Sequence, residues 1–108
     1  MDESEFIRLA AHTLQEIDRR IEASRIDADC GYAGGSVLEV EFEDGSKIIV
    51  NIQAAVREIW VAARSGGHHF VREHGRWVST RDGTELFASL SACIGQQSGQ
   101  VANLAGES

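Results

Sequence analysis

Proline is missing from all 108 residues, although proteins typically carry about 5%; slow prolyl isomerisation is therefore excluded as a folding step. Cysteine occurs only twice, at Cys30 and Cys93. With no apolar targeting stretch at the N-terminus, so few thiols point to a reduced, cytoplasmic protein without a disulfide. No run approaches the ~20 apolar residues that cross a bilayer, so no membrane partner is expected. The histidines, His12, His68, His69 and His74, have no spacing that would converge three or four ligands on a transition metal. If strand-borne, His68 and His69 point to opposite faces, and packing is the expected role of both. Neither cysteine has a neighbouring base that would make it a nucleophile.

What is abundant is acid. Seventeen Asp and Glu face ten Lys and Arg, a net charge of −7, and the charge is segregated. Residues 1–46 hold twelve acids and four arginines, whereas residues 47–82 hold six bases and three acids. An acidic front half repels a phosphate backbone, so nucleic acid is not an expected partner. A basic protein surface or a cation fits better. The length predicts one domain with a single core, spanning 1–98, followed by a frayed polar tail over 99–108.

Phe6, Leu9, Ala10, Leu14, Ile17 and Ile21 recur at three- and four-residue steps, the period of a helix with one buried stripe, from Ser4 to Ser24. Ser4 is the expected N-cap, with Glu5 in the positive first turn. Ile26–Tyr32 alternates as a strand, with Cys30 facing inward as a buried, inert thiol and Asp27 and Asp29 facing away from the core. Leu38, Val40 and Phe42 alternate with Glu39 and Glu41 in the next strand. Asp44-Gly45 then closes a hairpin into Lys47–Gln53. After a short connection at 54–57 comes a strand around Trp60. Phe70–Arg72 and Arg76–Ser79 pair around His74-Gly75. Thr84 caps a second helix, with Leu86, Phe87, Leu90, Cys93 and Ile94 as its stripe. The order predicts an α+β fold, in which an N-terminal and a C-terminal helix pack on one face of an antiparallel sheet of five to seven strands.

The other sheet face is then uncovered. On Lys47–Gln53, Ile48, Val50 and Ile52 point to the core, so Asn51 and Gln53 point outward. Trp60 falls on the outward set with Glu58 and Ala62, while Trp77 is the better candidate for internal packing. A rigid indole beside paired amides is a docking surface.

The opening Asp2-Glu3-Ser4-Glu5-Phe6-Ile7-Arg8-Leu9-Ala10, the block Gly45 to Gln53, Trp60-Val61-Ala62-Ala63 and Gly66-Gly67-His68-His69-Phe70 resemble the bacterial frataxin family over residues 2–98. The resemblance implies a small cytoplasmic protein with a frataxin-like α/β sandwich. It also implies weak iron binding along an acidic ridge and docking onto a cysteine desulfurase and its iron–sulfur scaffold assembly, to regulate cluster formation. Three departures stand out: Arg19 and Ala23 replace acids of the family pattern, and Ala54-Ala55 follow the Gln53 block where the family carries proline.

The ridge has a chemical reading of its own. Asp18 and Glu22 lie on one helix face, where like charges destabilise by a few tenths of a kcal/mol unless neutralised, roughly 0.2–0.5 per pair. Asp27 and Asp29 lie within reach, and Glu3 at the helix start is a further candidate ligand. Such an oxygen-only array binds ferrous or ferric iron weakly, and other divalent cations in its place. Against metal binding, Glu16 can pair with Arg20, and Arg19 and Arg25 are close. The expected docking surface comprises Glu16, Asp18, Glu22, Asn51, Gln53 and Trp60, with Asp27 and Asp29 extending the acidic edge. The protein is expected to be non-catalytic and mainly monomeric, with oligomers only when metal is bound. The alternative is a ferroxidase-like iron storage protein, which requires rigidly paired carboxylates.

Overall fold

The computed structural model describes residues 1–105. Its elements, in chain order, are α1 (Glu3–Ser24), β1 (Ala28–Tyr32), β2 (Val37–Phe42), β3 (Lys47–Gln53), a 3-10 turn (Ala54–Val56), β4 (Glu58–Ala63), β5 (Gly66–Glu73), β6 (Arg76–Ser79) and α2 (Leu86–Ser98). The six strands form one antiparallel meander in sequence order. Both helices pack against it, as the alternation requires, because each strand has a single apolar face. The core joins Phe6, Leu14 and Ile17 of α1 and Leu86, Leu90 and Ile94 of α2 to Leu38, Val40, Ile48, Val50, Ile59 and Phe70 of the sheet. Trp77 is buried, as expected. Its indole N–H donates to Thr13 Oγ1 at 2.8 Å, and its ring meets the edge of Phe6 at 5.7 Å.

Several boundaries differ from the expectation, each for a local reason. Asp2 rather than Ser4 caps α1, because its carboxylate accepts the Glu5 N–H at 2.8 Å. The helix ends where Arg25 turns left-handed at φ 63° and returns its N–H to Glu22. Glu85 rather than Thr84 caps α2, accepting the Ala88 N–H at 3.1 Å. β1 begins at Ala28 rather than Ile26, and β5 reaches back to Gly66, where Ala63 and Gly66 close a tight hairpin. Gly66 has φ 131°, which a side chain would resist.

The largest difference is at the C-terminus. The frayed tail expected over 99–108 is docked as far as it is described, and residues 106–108 lie outside the described residues. Ala102 and Leu104 are 7% and 2% exposed and belong to the core. The Leu104 N–H donates to Ser91 Oγ at 2.9 Å, and its carbonyl accepts from Arg20 at 2.7 Å. Gln100 Oε1 accepts the Asp27 N–H at 2.7 Å. Polar composition concealed two apolar side chains that two elements already bracket. No helix among the described residues is long and apolar enough to cross a membrane.

Candidate functional site

The first region is the acidic edge. Asp18 and Glu22 from α1 and Asp29 and Cys30 from β1 line one shallow cleft of about 320 Å³. Asp29 also lines a neighbouring cleft of about 650 Å³ together with Asp27, Glu41 and Glu43. Asp18, Glu22, Asp27 and Asp29 thus fall along one edge, with Asp29 shared between the two clefts. They do so because β1 is an edge strand that shares a cleft with α1, with Asp29 alternating away from the core and Asp27 one residue before the strand begins. Glu3 is not part of this edge. It stands fifteen residues before Asp18 on the same helix, about 22 Å along the axis.

Among the described residues, no three carboxylate, imidazole or thiol groups converge into a preformed metal cage. The edge therefore offers carboxylate oxygens without a rigid geometry, a donor set for hard cations and weak exchange. Glu16 is diverted from it. Both Arg19 and Arg20 hydrogen-bond its carboxylate, Arg20 at 2.8 Å, and together they hold it at about 2 against an ordinary 4.5. Cys30 is half-buried on the inner side of the same cleft. Burial, reinforced by a hydrogen bond to Asp18, pushes its thiol up to about 12, which makes it inert at neutral pH.

The second region is the outer sheet face, where strand register builds a row. Asn51 lies opposite Val37 on one side and Trp60 on the other, and Trp60 lies opposite His69. Gln53 is opposite Glu58, one step along. The Trp60 indole is half-buried. It stacks on the His69 imidazole with centroids 4.4 Å apart and planes 10° from parallel. Glu58 Oε1 accepts the indole N–H at 2.7 Å and lies 3.3 Å from His69 Nδ1. Two side chains therefore clamp the indole flat against the sheet. Alternation alone puts Glu58 beside Trp60, whereas the pairing of His69 with Trp60 needs the hairpin at 63–66 to be drawn.

The histidines do alternate sides. His68 points inward, and its Nε2 lies 3.9 Å from Cys93 Sγ, with Ser65 Oγ at 3.7 Å. This corrects the expectation that Cys93 has no neighbouring base, since the β4–β5 hairpin folds both groups onto α2. The thiol is 4% exposed, so bulk reagents do not reach it.

The frataxin-like domain family matches residues 1–100. The chain is 52% identical over 100 residues to the iron-sulfur cluster assembly protein CyaY of Cupriavidus pinatubonensis, covering 90% of each. It is 48% identical over 107 residues to the protein of that name from Cupriavidus metallidurans, covering 96% of each. Among solved structures, a frataxin from Psychromonas ingrahamii superposes with a TM-score of 0.89 at 38% identity, covering 96% of this chain and 98% of that one. The trimeric frataxin of Saccharomyces cerevisiae, in a ferrous complex, shares the fold at a TM-score of 0.63 and 24% identity, over 89% of this chain and 84% of that one. A family match over residues 1–100, with superposition on a frataxin over 96% of the chain, places this protein in the frataxin-like family.

Proposed function

We propose that this chain serves iron–sulfur cluster assembly as a non-catalytic module that carries ferrous iron weakly on its acidic edge and docks onto a cysteine desulfurase. Family membership and the roles named for its relatives support the assembly context. The observation that carries the docking reading is the uncovered sheet face, where Trp60, held by Glu58 and His69, lies beside Asn51. A side chain already fixed in place loses little rotamer freedom on binding, which is how a small contact patch becomes specific.

The acidic edge supplies the long-range part. Asp18, Glu22, Asp27 and Asp29 draw a basic partner surface by Coulomb attraction and steer its approach. A cation seated near Asp29 relieves the repulsion between Asp18 and Glu22, so metal and partner compete for, or share, the same charge. Open oxygen ligation suits a cargo ion that must leave again. Glu16 contributes less than the sequence implies, because Arg19 and Arg20 already neutralise it.

Calorimetric titration of a purified cysteine desulfurase at two salt concentrations tests the reading. Asp18→Lys with Glu22→Lys is expected to weaken binding at low salt and flatten its salt dependence, whereas Trp60→Arg weakens binding equally at both. Unchanged affinity for both variants would remove this face and edge from the interface. A companion titration with Fe(II) under anaerobic conditions should lose most of its heat in Asp29→Asn.

A further inference from the structure

Cys93, His68 and Ser65 form a side-chain cluster that neither the acidic edge nor the outer sheet face uses. They come from three elements: Cys93 from the buried stripe of α2, His68 from the helix-facing side of β5, and Ser65 from the β4–β5 turn. His68 Nε2 lies 3.9 Å from Cys93 Sγ, and Ser65 Oγ lies 3.7 Å from the same sulfur.

The surroundings narrow what these atoms can hold. The thiol is 4% exposed, His68 is half-buried and Ser65 is exposed. The buried amide of Gln97, one helical turn beyond Cys93, is engaged elsewhere. Its Oε1 accepts the Arg64 N–H, and its Nε2 donates to Ser46 Oγ and to the Lys47 carbonyl. Among the described residues, no ion pair includes His68, and no third carboxylate, imidazole or thiol joins the pair. The donors are therefore one sulfur, one imidazole nitrogen and one hydroxyl oxygen.

Sulfur and imidazole favour late transition metals over the hard cations that suit the acidic edge. Zn(II) takes four ligands in a structural protein site, more than are present here. A single thiolate would also leave it with net positive charge under the core, where uncompensated charge is costly. Cu(I) is neutralised by that one thiolate and is satisfied by two or three ligands. The spacing agrees. With bonds to sulfur and nitrogen of about 2.3 and 2.0 Å, as for zinc, an ion bridging the 3.9 Å gap holds the two donors at about 130°, near the trigonal angle of roughly 120° that a third donor completes.

We infer that Cys93 and His68, with Ser65 as a weak third donor, form a binding site for a soft monovalent metal ion, Cu(I). Binding exchanges the thiol proton for the metal: the S–H bond breaks, the S–Cu bond forms, and one proton leaves to solvent. The Nε2 lone pair makes the second bond, with the ring proton on Nδ1. Copper remains Cu(I), so no electron is transferred. The ion enters on the exposed side of the cluster, past Ser65 and the His68 ring, and ties the β4–β5 hairpin to α2. The inference rests on neither the acidic edge nor the outer sheet face, so it stands apart from the desulfurase reading.

The test is an anaerobic titration of the intact protein with Cu(I) against a competing Cu(I) chelator. One ion per chain is expected, with ultraviolet thiolate-to-copper charge-transfer absorption, shifted His68 ring resonances in NMR, and a melting temperature that rises with Cu(I). Cys93→Ala should abolish the absorption, and Cys93→Ser gives the same readout should the alanine variant fail to fold. His68→Gln should weaken binding by at least about tenfold, since losing even an outer partner of a metal ligand costs roughly 10–100-fold. Cys30→Ser and His74→Gln remove the other thiol and an exposed imidazole, and should leave affinity unchanged. Absence of binding overturns the inference. So does binding that survives loss of Cys93, disappears with Cys30→Ser or is unmoved by His68→Gln. Equal perturbation of the His68 ring by Zn(II) would overturn the assignment to a monovalent ion. Melts of the metal-free variants separate lost binding from lost folding.

Discussion

Leu104→Ala offers a direct measure of how firmly the C-terminal segment closes the core. The side chain is 2% exposed, and truncating a buried leucine costs about 2–5 kcal/mol, depending on how far the site collapses. A terminal segment relaxes more readily than a helix interior, which places the cost near the lower end, about 2 kcal/mol. The backbone contacts to Ser91 and Arg20 survive the substitution. For a domain of this size, each kcal/mol moves the melting temperature by about 4–8 °C, so a fall of roughly 10 °C is expected. Circular dichroism melts, with urea titration to check that the slope is unchanged, provide the assay. A shift below about 2 °C would show that the segment frays in solution and refute the docked arrangement. Because Arg20 contacts Leu104 directly, adding Arg20→Gln should give a combined loss smaller than the sum of the two.

Three further outcomes follow from particular contacts. Glu58→Ala removes the acceptor of the Trp60 indole N–H, so Trp60 emission should shift to the red while buried Trp77 serves as an internal reference; stability should change by no more than about 1 kcal/mol for such a surface contact. Glu16 titrates near 2 in the folded chain against an ordinary 4.5. The unfolded chain therefore takes up that proton first, and the associated stability, full above about 4.5, is lost as pH falls toward 2; Glu16→Gln should flatten this acid limb, as read by chemical denaturation at a series of pH values. Cys30, pushed up to about 12 from 9.0, has about a thousandfold less thiolate than an ordinary cysteine. In a Cys93→Ser background it should resist a disulfide reagent at pH 8 until the protein unfolds, and labelling of the native protein within minutes would contradict the assigned environment.

Periodicity made the architecture readable because each amphipathic element has one partner surface. The stripe from Phe6 to Ile21 and the alternation from Leu38 to Val50 leave no second way to bury both helices and the sheet. Caps were harder, since Asp2 and Ser4, or Thr84 and Glu85, are all competent acceptors, and the choice depends on where the first turn closes. The tail was illegible for a different reason. Ala102 and Leu104 stand alone among polar residues, and only the groove between α1 and α2 makes them core. In the functional regions, alternation located Asn51, Gln53 and Trp60 on one face, and the edge position of β1 collected Asp18, Glu22, Asp27 and Asp29. Cross-strand partners such as His69 for Trp60, or His68 for Cys93, depend on hairpin length at 63–66, which linear spacing does not specify. Glu3 failed by distance, because one helix face is shared by residues that lie several turns apart.

The contact between Arg20 and Leu104 spans 84 positions of chain, and it has a bearing on synthesis. The meander needs only sequence neighbours, so its hairpins can zip as they leave the ribosome. The first helix is made before anything exists to cover its apolar stripe, and its far end receives its last cover only when Leu104 emerges. A nascent chain stalled short of that residue would carry a complete sheet and an unsealed lid, with exposed apolar surface of the kind that chaperones recognise.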